Sequence, residues 1–572
     1  MTRALVAGLV LILTGAAGGC ASGSGDRAPR STDWSPAPVT VQGMSVLSQS
    51  DATGLRLHTG SGAKTFLPGV NLGSSVPGRQ PGEVGGIEAA TYRTWFAQMG
   101  GLGIRLVRIY TLHPPAFYAE LARYNQAHER APLYLVQGAY LPDESYFEPG
   151  KTLYSPAVDQ SFSRELEDLS AAVHGDLTRD PAPGKAGGTY DVDVSRWLAS
   201  WIIGVEWDPQ GVAQTDRKKA GAGYRPGRYF VATKDASPTE RWITRHMDEL
   251  ATAEAARGTS VPIAAANWPT ADPLEHPTEP IASEDAVSVD AMHMLPTSAW
   301  PGGTYASFHA YPYYPDFQRD EPGLDQTTWA DEPDRYAGYL LTLKEHFAGT
   351  MPLVISEFGV PASLGSAHVG TNGRDQGNHS EQDAMGIDAS LMRMMAEKGI
   401  SGAFVFSWED EWFKRTWNTI EHQDPERRQL WHDPLTNEQY FGIVATDPDK
   451  VPDAAVEATP ASGALKYVYI WADHSWVHVE VTGRDGAPTN LEINADALPG
   501  ATKVDYRFTV DTAASTAKAE VRRALDPIRL DTTGVYRPGA AAPWHDYALI
   551  INRSFADRPA EYEPVGDLVE GS

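Results

Sequence analysis

Short apolar runs alternate with segments of helical apolar spacing for nearly four hundred residues, and no other feature of this chain limits its fold so closely. A strand followed by a helix and then another strand builds a parallel sheet, because the helix carries the chain back before the next strand pairs. Eight such runs stand at 66–72, 105–110, 133–137, 201–205, 262–266, 306–310, 353–356 and 403–407. Eight strands with interleaved helices fit a closed (β/α)8 TIM barrel of the α/β class. An open doubly wound sheet is the other arrangement, and the lack of a glycine-rich phosphate loop after the first run speaks against it.

Local signals agree with this alternation. Ser237-Pro238-Thr239-Glu240 matches a capping box with proline at the first helical position, and Ile243, Met247 and Leu250 behind it form one apolar stripe. Ser380 with Asp383 opens a later helix in the same way, and Tyr336, Leu340, Leu343 and Phe347 mark the helix before it. Ahead of the first run, Asp51-Ala52-Thr53-Gly54 and Gly60-Ser61-Gly62 separate short alternating segments, which predicts hairpins that lid the bottom of the barrel. Past residue 452 only strands and turns are legible, at 465–472, 476–481, 504–510 and 547–551, as in a small β-sandwich. The expected organisation is therefore 39–450 for the barrel with its hairpins and 451–572 for the all-β part.

The first residues carry a different message. Arg3 precedes an apolar run over 4–13, too short to span a bilayer, and Ala17-Gly18-Gly19 stand directly before Cys20, the chain's single cysteine. This reads as a signal peptide over 1–20 that ends in a bacterial lipobox, with lipid on Cys20 and a flexible tether over 21–38 rich in Ser, Gly and Pro. Ordinary secretion with a chance cysteine is the alternative. The expected location is the outer face of the bacterial cytoplasmic membrane, with the lipid as the sole membrane contact. Lys plus Arg number 47 against 74 Asp plus Glu, a balance of −27 that repels phosphate backbones and makes nucleic acid an unsuitable partner. The 16 Trp and 24 Tyr serve either as core filler or as stacking platforms for sugars.

Barrel enzymes build their sites from strand C-terminal ends, so the polar residues that close these runs are read for function first. They are Arg108 and Tyr110 on the second, Glu206 after the fourth, Asn267 and Trp268 on the fifth, His309 and Tyr311 on the sixth, Glu357 on the seventh and Trp408 after the eighth. Alternation along a strand lets Arg108 face the axis with Tyr110, Ser307 with His309 and Tyr311, and Phe404 with Phe406 and Trp408. Glu206 and Glu357 each end a nearly apolar run, where an ionised group is costly unless solvent, hydrogen bonds or substrate compensate it. Two such carboxyl groups are what glycoside cleavage needs, one to protonate the leaving oxygen and one to attack the anomeric carbon. His309, Tyr311 and Asn267 are placed to bond the nucleophile or a sugar hydroxyl, and Trp408 to floor the pocket. A structural salt bridge at the barrel mouth, for instance with Arg108, is the alternative for each glutamate. His293, His368 and His379 are too widely spaced to assign a metal and read as solvated loop residues, no cofactor is expected, and Trp412, Phe413 and Trp417 suit either a local core or a substrate-binding wall.

On these residues, 66–446 resembles the clan A glycoside hydrolases. The resemblance implies a proton-donor role for Glu206 in Ile203-Gly204-Val205-Glu206-Trp207 and a nucleophile role for Glu357 in Val354-Ile355-Ser356-Glu357-Phe358-Gly359. Arg108, His309, Tyr311 and Trp408 match positions the clan often uses. One departure is plain: the clan usually carries Asn directly before the acid/base, where it bonds the sugar 2-hydroxyl, and this chain has Val205. The stretch 107–113 is similar to β-glucan hydrolases and glucanosyltransferases, which keeps transglycosylation beside hydrolysis. The stretches 305–317, 409–419 and 437–443 resemble a branch of bacterial lipoproteins similar to family 2 glycosidases. The resemblance implies an oligo- or polysaccharide substrate with β linkages cleaved with retention, and a non-catalytic glycan-binding barrel is the reading in another class.

Overall fold

The eight apolar runs become the eight strands of one closed barrel in the computed structural model. It describes residues 33–444 apart from 77–78, 80, 143, 364–367, 412, 415 and 417–435, and then 456–457, 463–472, 477–484, 490–495, 506–514, 516–522, 544–549 and 569–571. Cys20, the expected signal peptide, Trp412 and Trp417 lie outside the described residues. In chain order the barrel strands are Leu67–Leu72, Leu106–Ile109, Tyr134–Ala139, Leu198–Ile203, Ile263–Asn267, Ala306–His309, Leu353–Phe358 and Gly402–Val405. Each pairs in parallel with the next, and the eighth pairs with the first, so every strand has two neighbours and no edge remains. The open-sheet alternative is thereby set aside.

Closure demands room at the seam between strands eight and one. Gly69 supplies it: a Cβ there would lie 2.3 Å from the ring of Phe404, which fills the barrel interior in its place. Strand seven also departs from a regular ladder. Phe308 pairs with Ile355 while His309 pairs with Glu357, a one-residue shift that places Ser356 out of register and re-aims the glutamate towards the barrel mouth.

The expected helix signals operate as read. Ser237 Oγ accepts from the Glu240 amide at 3.2 Å while Glu240 Oε2 accepts from the Ser237 amide at 2.6 Å, closing the capping box of helix Pro238–Ala256. Ser380 caps helix Glu381–Glu397, and helix Arg335–His346 buries Tyr336, Leu340 and Leu343.

The hairpins of 39–64 fasten under the barrel at the strands' N-terminal ends. Ser50 N donates to Gly302 O at 2.9 Å and its Oγ to Thr304 O at 2.6 Å; Ser45 N donates to Gly258 O at 2.8 Å, and Ser48 Oγ bonds Ala199 O. Beyond the barrel stand two antiparallel sheets, one of three strands (Val456–Glu457, Leu465–Ala472, Val477–Gly483) and one of five that includes Asn490–Ala495 and Thr516–Arg522. The last two were not legible in the sequence, because Asn, Glu, Lys and Arg hold most of the alternate positions in them. Among the described residues no helix is long and apolar enough to cross a membrane.

Candidate active site

At the C-terminal mouth of the barrel lies a cleft of about 860 Å³ lined by residues from every side of the barrel, among them Arg108, Tyr110, Glu206, His309, Tyr311 and Glu357. Glu206 follows strand four after Gly204, whose φ of +92° belongs to the region where side chains are disfavoured; a Cβ there would also meet the Trp207 ring at 2.6 Å. The turn leaves the Glu206 side chain about 37% exposed, whereas that of Glu357 is only 7% exposed. One carboxyl group thus meets solvent and the other is enclosed.

Glu357 is held from several directions. Its Oε1 accepts from Arg108 Nη1 at 3.0 Å and from Tyr110 OH at 2.7 Å, and its Oε2 accepts from Tyr311 OH at 2.9 Å. Burial pushes this carboxyl up, but the His309 and Arg108 charges and the two phenol hydrogen bonds outweigh burial and bring it below the usual glutamate value. The Arg108 guanidinium in turn lies 4.5 Å over the Tyr110 ring and donates to Asn71 Oδ1 at 3.0 Å. Asn71, on strand one, sends its amide to the carbonyls of Ser356 and Phe404 at 3.0 and 3.2 Å, tying strand one to strands seven and eight.

His309 links the two glutamates. Its Nδ1 lies 2.7 Å from Glu206 Oε1, and its Nε2 lies 3.0 Å from Arg108 Nη2 and 3.2 Å from Glu357 Oε1. A guanidinium has only donors, so Nε2 accepts from Arg108 and the ring proton sits on Nδ1, directed at Glu206. A donor atom of each of Glu206, His309 and Glu357 lies within 4.8 Å of the others, a grouping that also matches a metal triad. The 2.7 Å bond between Glu206 and His309 and the guanidinium at Glu357 fill the space between these donors, so the grouping reads as a hydrogen-bonded network.

Two expected site residues are placed elsewhere. Asn267 gives its amide hydrogens to Ala271 O at 3.1 Å and Val289 O at 2.8 Å and accepts from the Trp268 amide, so it braces the loop after strand five and does not serve the cleft. Trp408 is wholly buried and packs in the core, because strand eight ends at Val405 and the alternation that put Trp408 beside Phe406 ends with it. Phe406 and Phe441 provide the aromatic wall in that quarter. Trp268 does line the cleft, its indole anchored to Trp207 O at 3.0 Å, and Phe413 lines it too. Val205 borders the cleft with no polar group.

The three histidines read as solvated stay apart, yet none is idle. His293 bonds Glu240 at 2.9 Å, His379 bonds Asp375 O at 2.9 Å, and His368 is buried at the cleft wall, 3.3 Å from Asp316. Sequence reasoning also missed Lys414, which spans Glu411 at 2.8 Å and Glu438 at 2.9 Å on the cleft rim. Burial pulls its ammonium down, and the two carboxylates more than offset this and hold it well above the ordinary lysine value.

No family model matches the chain, and no curated protein is similar to it. An endo-laminarinase from Formosa Hel1_33_131 shares 13% identity at a TM-score of 0.38 over 67% of this chain and 84% of its own. A β-glucuronidase of Faecalibacterium prausnitzii shares 10% at 0.38 over 70%, and the chain spans about half (49%) of that enzyme's length. A β-1,4-mannanase of family GH113 shares 10% at 0.32 over 60% of this chain and 88% of its own. Laminarinase, β-glucuronidase and β-mannanase structures are thus among those it resembles. At these values the likeness extends to the fold alone, and the chemistry rests on this chain's own residues.

Proposed function

We propose that the chain is a retaining glycoside hydrolase for β-linked glycans, exported and held at the outer face of the cytoplasmic membrane by lipid on Cys20. The observation that carries the catalytic reading is the pair of glutamates at strands four and seven, with a carboxylate oxygen of each within 4.8 Å of the other, one enclosed and one open. Inverting enzymes need a wider gap to admit water between the groups. The location rests on the small residues before the chain's single cysteine.

Glu357 Oε2, bonded among the described residues by Tyr311 alone, keeps a lone pair for the anomeric carbon while Oε1 is clamped by Arg108 and Tyr110. As the new C–O bond forms, the glycosidic C–O bond breaks and its oxygen takes the Glu206 proton. In the second step Glu206 removes a proton from water, the hydroxyl adds to the anomeric carbon, and the Glu357 carboxylate leaves. Glu206 Oε1 stays bonded to His309, which leaves Oε2 to carry the transferred proton. With Val205 beside the acid and Asn267 held by its loop, neither offers a bond to a sugar 2-hydroxyl.

The test is a panel of β-glucans, β-mannans and aryl β-glycosides. The first-formed product should keep its anomeric configuration by NMR. Glu206→Ala should slow substrates with poor leaving groups far more than activated aryl glycosides, and azide should partly restore it. Glu357→Ala should stop both kinds. Inversion, or equal losses in both variants independent of the leaving group, would overturn the assignment.

A further inference from the structure

The turn after strand eight sets a cluster of charge into the cleft wall. Lys414 N donates to Glu411 O at 3.1 Å, and the Lys414 ammonium lies 2.8 Å from Glu411 Oε2 and 2.9 Å from Glu438 Oε2. All three side chains are partly buried and line the cleft. Glu411 faces the end of strand one, where a Cβ on Gly73 would stand 4.0 Å from its Oε1. The ammonium stands 5.6 Å from the centroid of the Phe406 ring, and Phe406 meets edge-on the ring of Tyr311, which bonds Glu357. Strand eight lies across the barrel from strand four. Glu206 meets the leaving oxygen on the strand-four side, so the sugars that stay with Glu357 extend towards this cluster.

An ammonium has three N–H donors, and the two glutamates take one each. The third is left for a sugar oxygen, and each carboxylate keeps lone pairs for sugar hydroxyls. A donor set between acceptors matches adjacent hydroxyl groups, each of which both donates and accepts. The cluster does not suit a substrate carboxylate, because its two glutamates outweigh its one lysine. Among the described residues that line the cleft the other cation is Arg108, which is taken up by Glu357, Asn71 and His309, and His368 pairs with Asp316. Glutamates at 206, 284, 357, 411 and 438 line the same cleft. A carboxylate on the sugar would meet them with no counter-charge of its own.

We propose that Glu411, Lys414 and Glu438 form a specificity-determining subsite that grips adjacent hydroxyls of a neutral glycan and turns away sugars oxidised to carboxylates. This subsite takes its orientation from the hydrolase reading of the cleft, and its selectivity is read by binding alone.

Titration calorimetry of the full chain carrying Glu206→Gln, which holds substrate with no proton to give it, tests the subsite. The ligands are laminarin and glucomannan, and each polymer after oxidation of its C6 hydroxyls to carboxylates. A neutral polymer should bind more tightly than its oxidised form. The chain's balance of −27 repels any polyanion, so the deciding quantity is how the ratio of the two Kd values moves. Glu438→Gln should weaken the neutral polymer several-fold and tighten the oxidised one, narrowing the ratio about tenfold, and Glu411→Gln should act in the same direction. Lys414→Met should weaken both forms, the oxidised one more, because it leaves the two glutamates uncompensated. A ratio that both glutamine variants leave unmoved, with circular dichroism unchanged, overturns the subsite, as does no binding by either neutral polymer. Turnover separates the two readings. In the chain with Glu206 intact, hydrolysis of an oxidised polymer as fast as its neutral parent overturns the subsite and leaves the hydrolase standing. Selective binding without any turnover refutes the hydrolase and leaves the subsite standing.

Discussion

Burial alone would protonate Glu357, and the positive charge and phenol hydrogen bonds around it decide otherwise. Tyr110→Phe removes one of these bonds. A hydrogen bond to a charged acceptor contributes on the order of 1.5 kcal/mol, so the acidic limb of kcat/KM, expected below 4.5 in the native chain, should rise by about one pH unit. A pH–rate profile measures it, and an unmoved limb would show that Tyr110 does not hold the ionised form. Asn71→Ala should lower kcat roughly tenfold to a hundredfold with little change in KM, because it leaves Arg108 in place but without the oxygen that orients it. A KM effect of the same size would place Asn71 in substrate binding. Most of this network was legible residue by residue, since Arg108, Tyr110, Glu206, His309, Tyr311 and Glu357 all stand where an apolar run turns polar. Asn71 lacks that mark and was overlooked, because Leu72 follows it and the apolar run does not turn polar there. Asn267 carries the mark and is structural, which no single sequence distinguishes, because what satisfies its amide is a loop carbonyl twenty-two residues away.

Among the elements, all eight barrel strands were visible because strands covered by helices on one face and packed side chains on the other are apolar throughout. The alternation argument failed at its boundary: applied past Val405 it predicted Trp408 at the cleft, where there is no longer a strand to alternate. Strand one and strand eight meet where Gly69 lies against Phe404, and this contact makes a sharp test of the closure. Gly69→Ala forces the ring aside and should cost about 1–3 kcal/mol of stability, read as a lower urea midpoint. Phe404→Leu in the same chain should recover part of that loss. If the double variant is no better than the single one, the seam is not where the strain falls.

For the whole molecule, stability should depend on pH through a buried group that the proposed chemistry does not use. Burial holds the imidazole of His113 down to about 3, against 6.5 for the ordinary ring. The unfolded chain therefore takes up a proton as pH falls below 6.5 while the folded chain does not, so this contribution is complete above 6.5 and is lost on the way down to 3. The slope is about 1.4 kcal/mol per pH unit for one proton. In His113→Gln the difference between unfolding free energies at pH 7 and pH 5, measured by urea titration, should shrink accordingly; an unchanged difference would mean that His113 is not the group responsible. At this scale the sequence announced the division into an α/β and an all-β part. It concealed strands such as Asn490–Ala495 and Thr516–Arg522, whose alternate positions are as polar as those of a loop. The hairpins under the barrel have an effect at a distance. Trp34 bonds Arg130 O at 2.8 Å, just ahead of strand three, and Pro36 bridges Thr59, so the N-terminal chain enters the molecule at the end opposite the cleft. Under the lipid mooring proposed at Cys20, the protein would stand on its closed base like a cup on a table, its mouth directed away from the membrane.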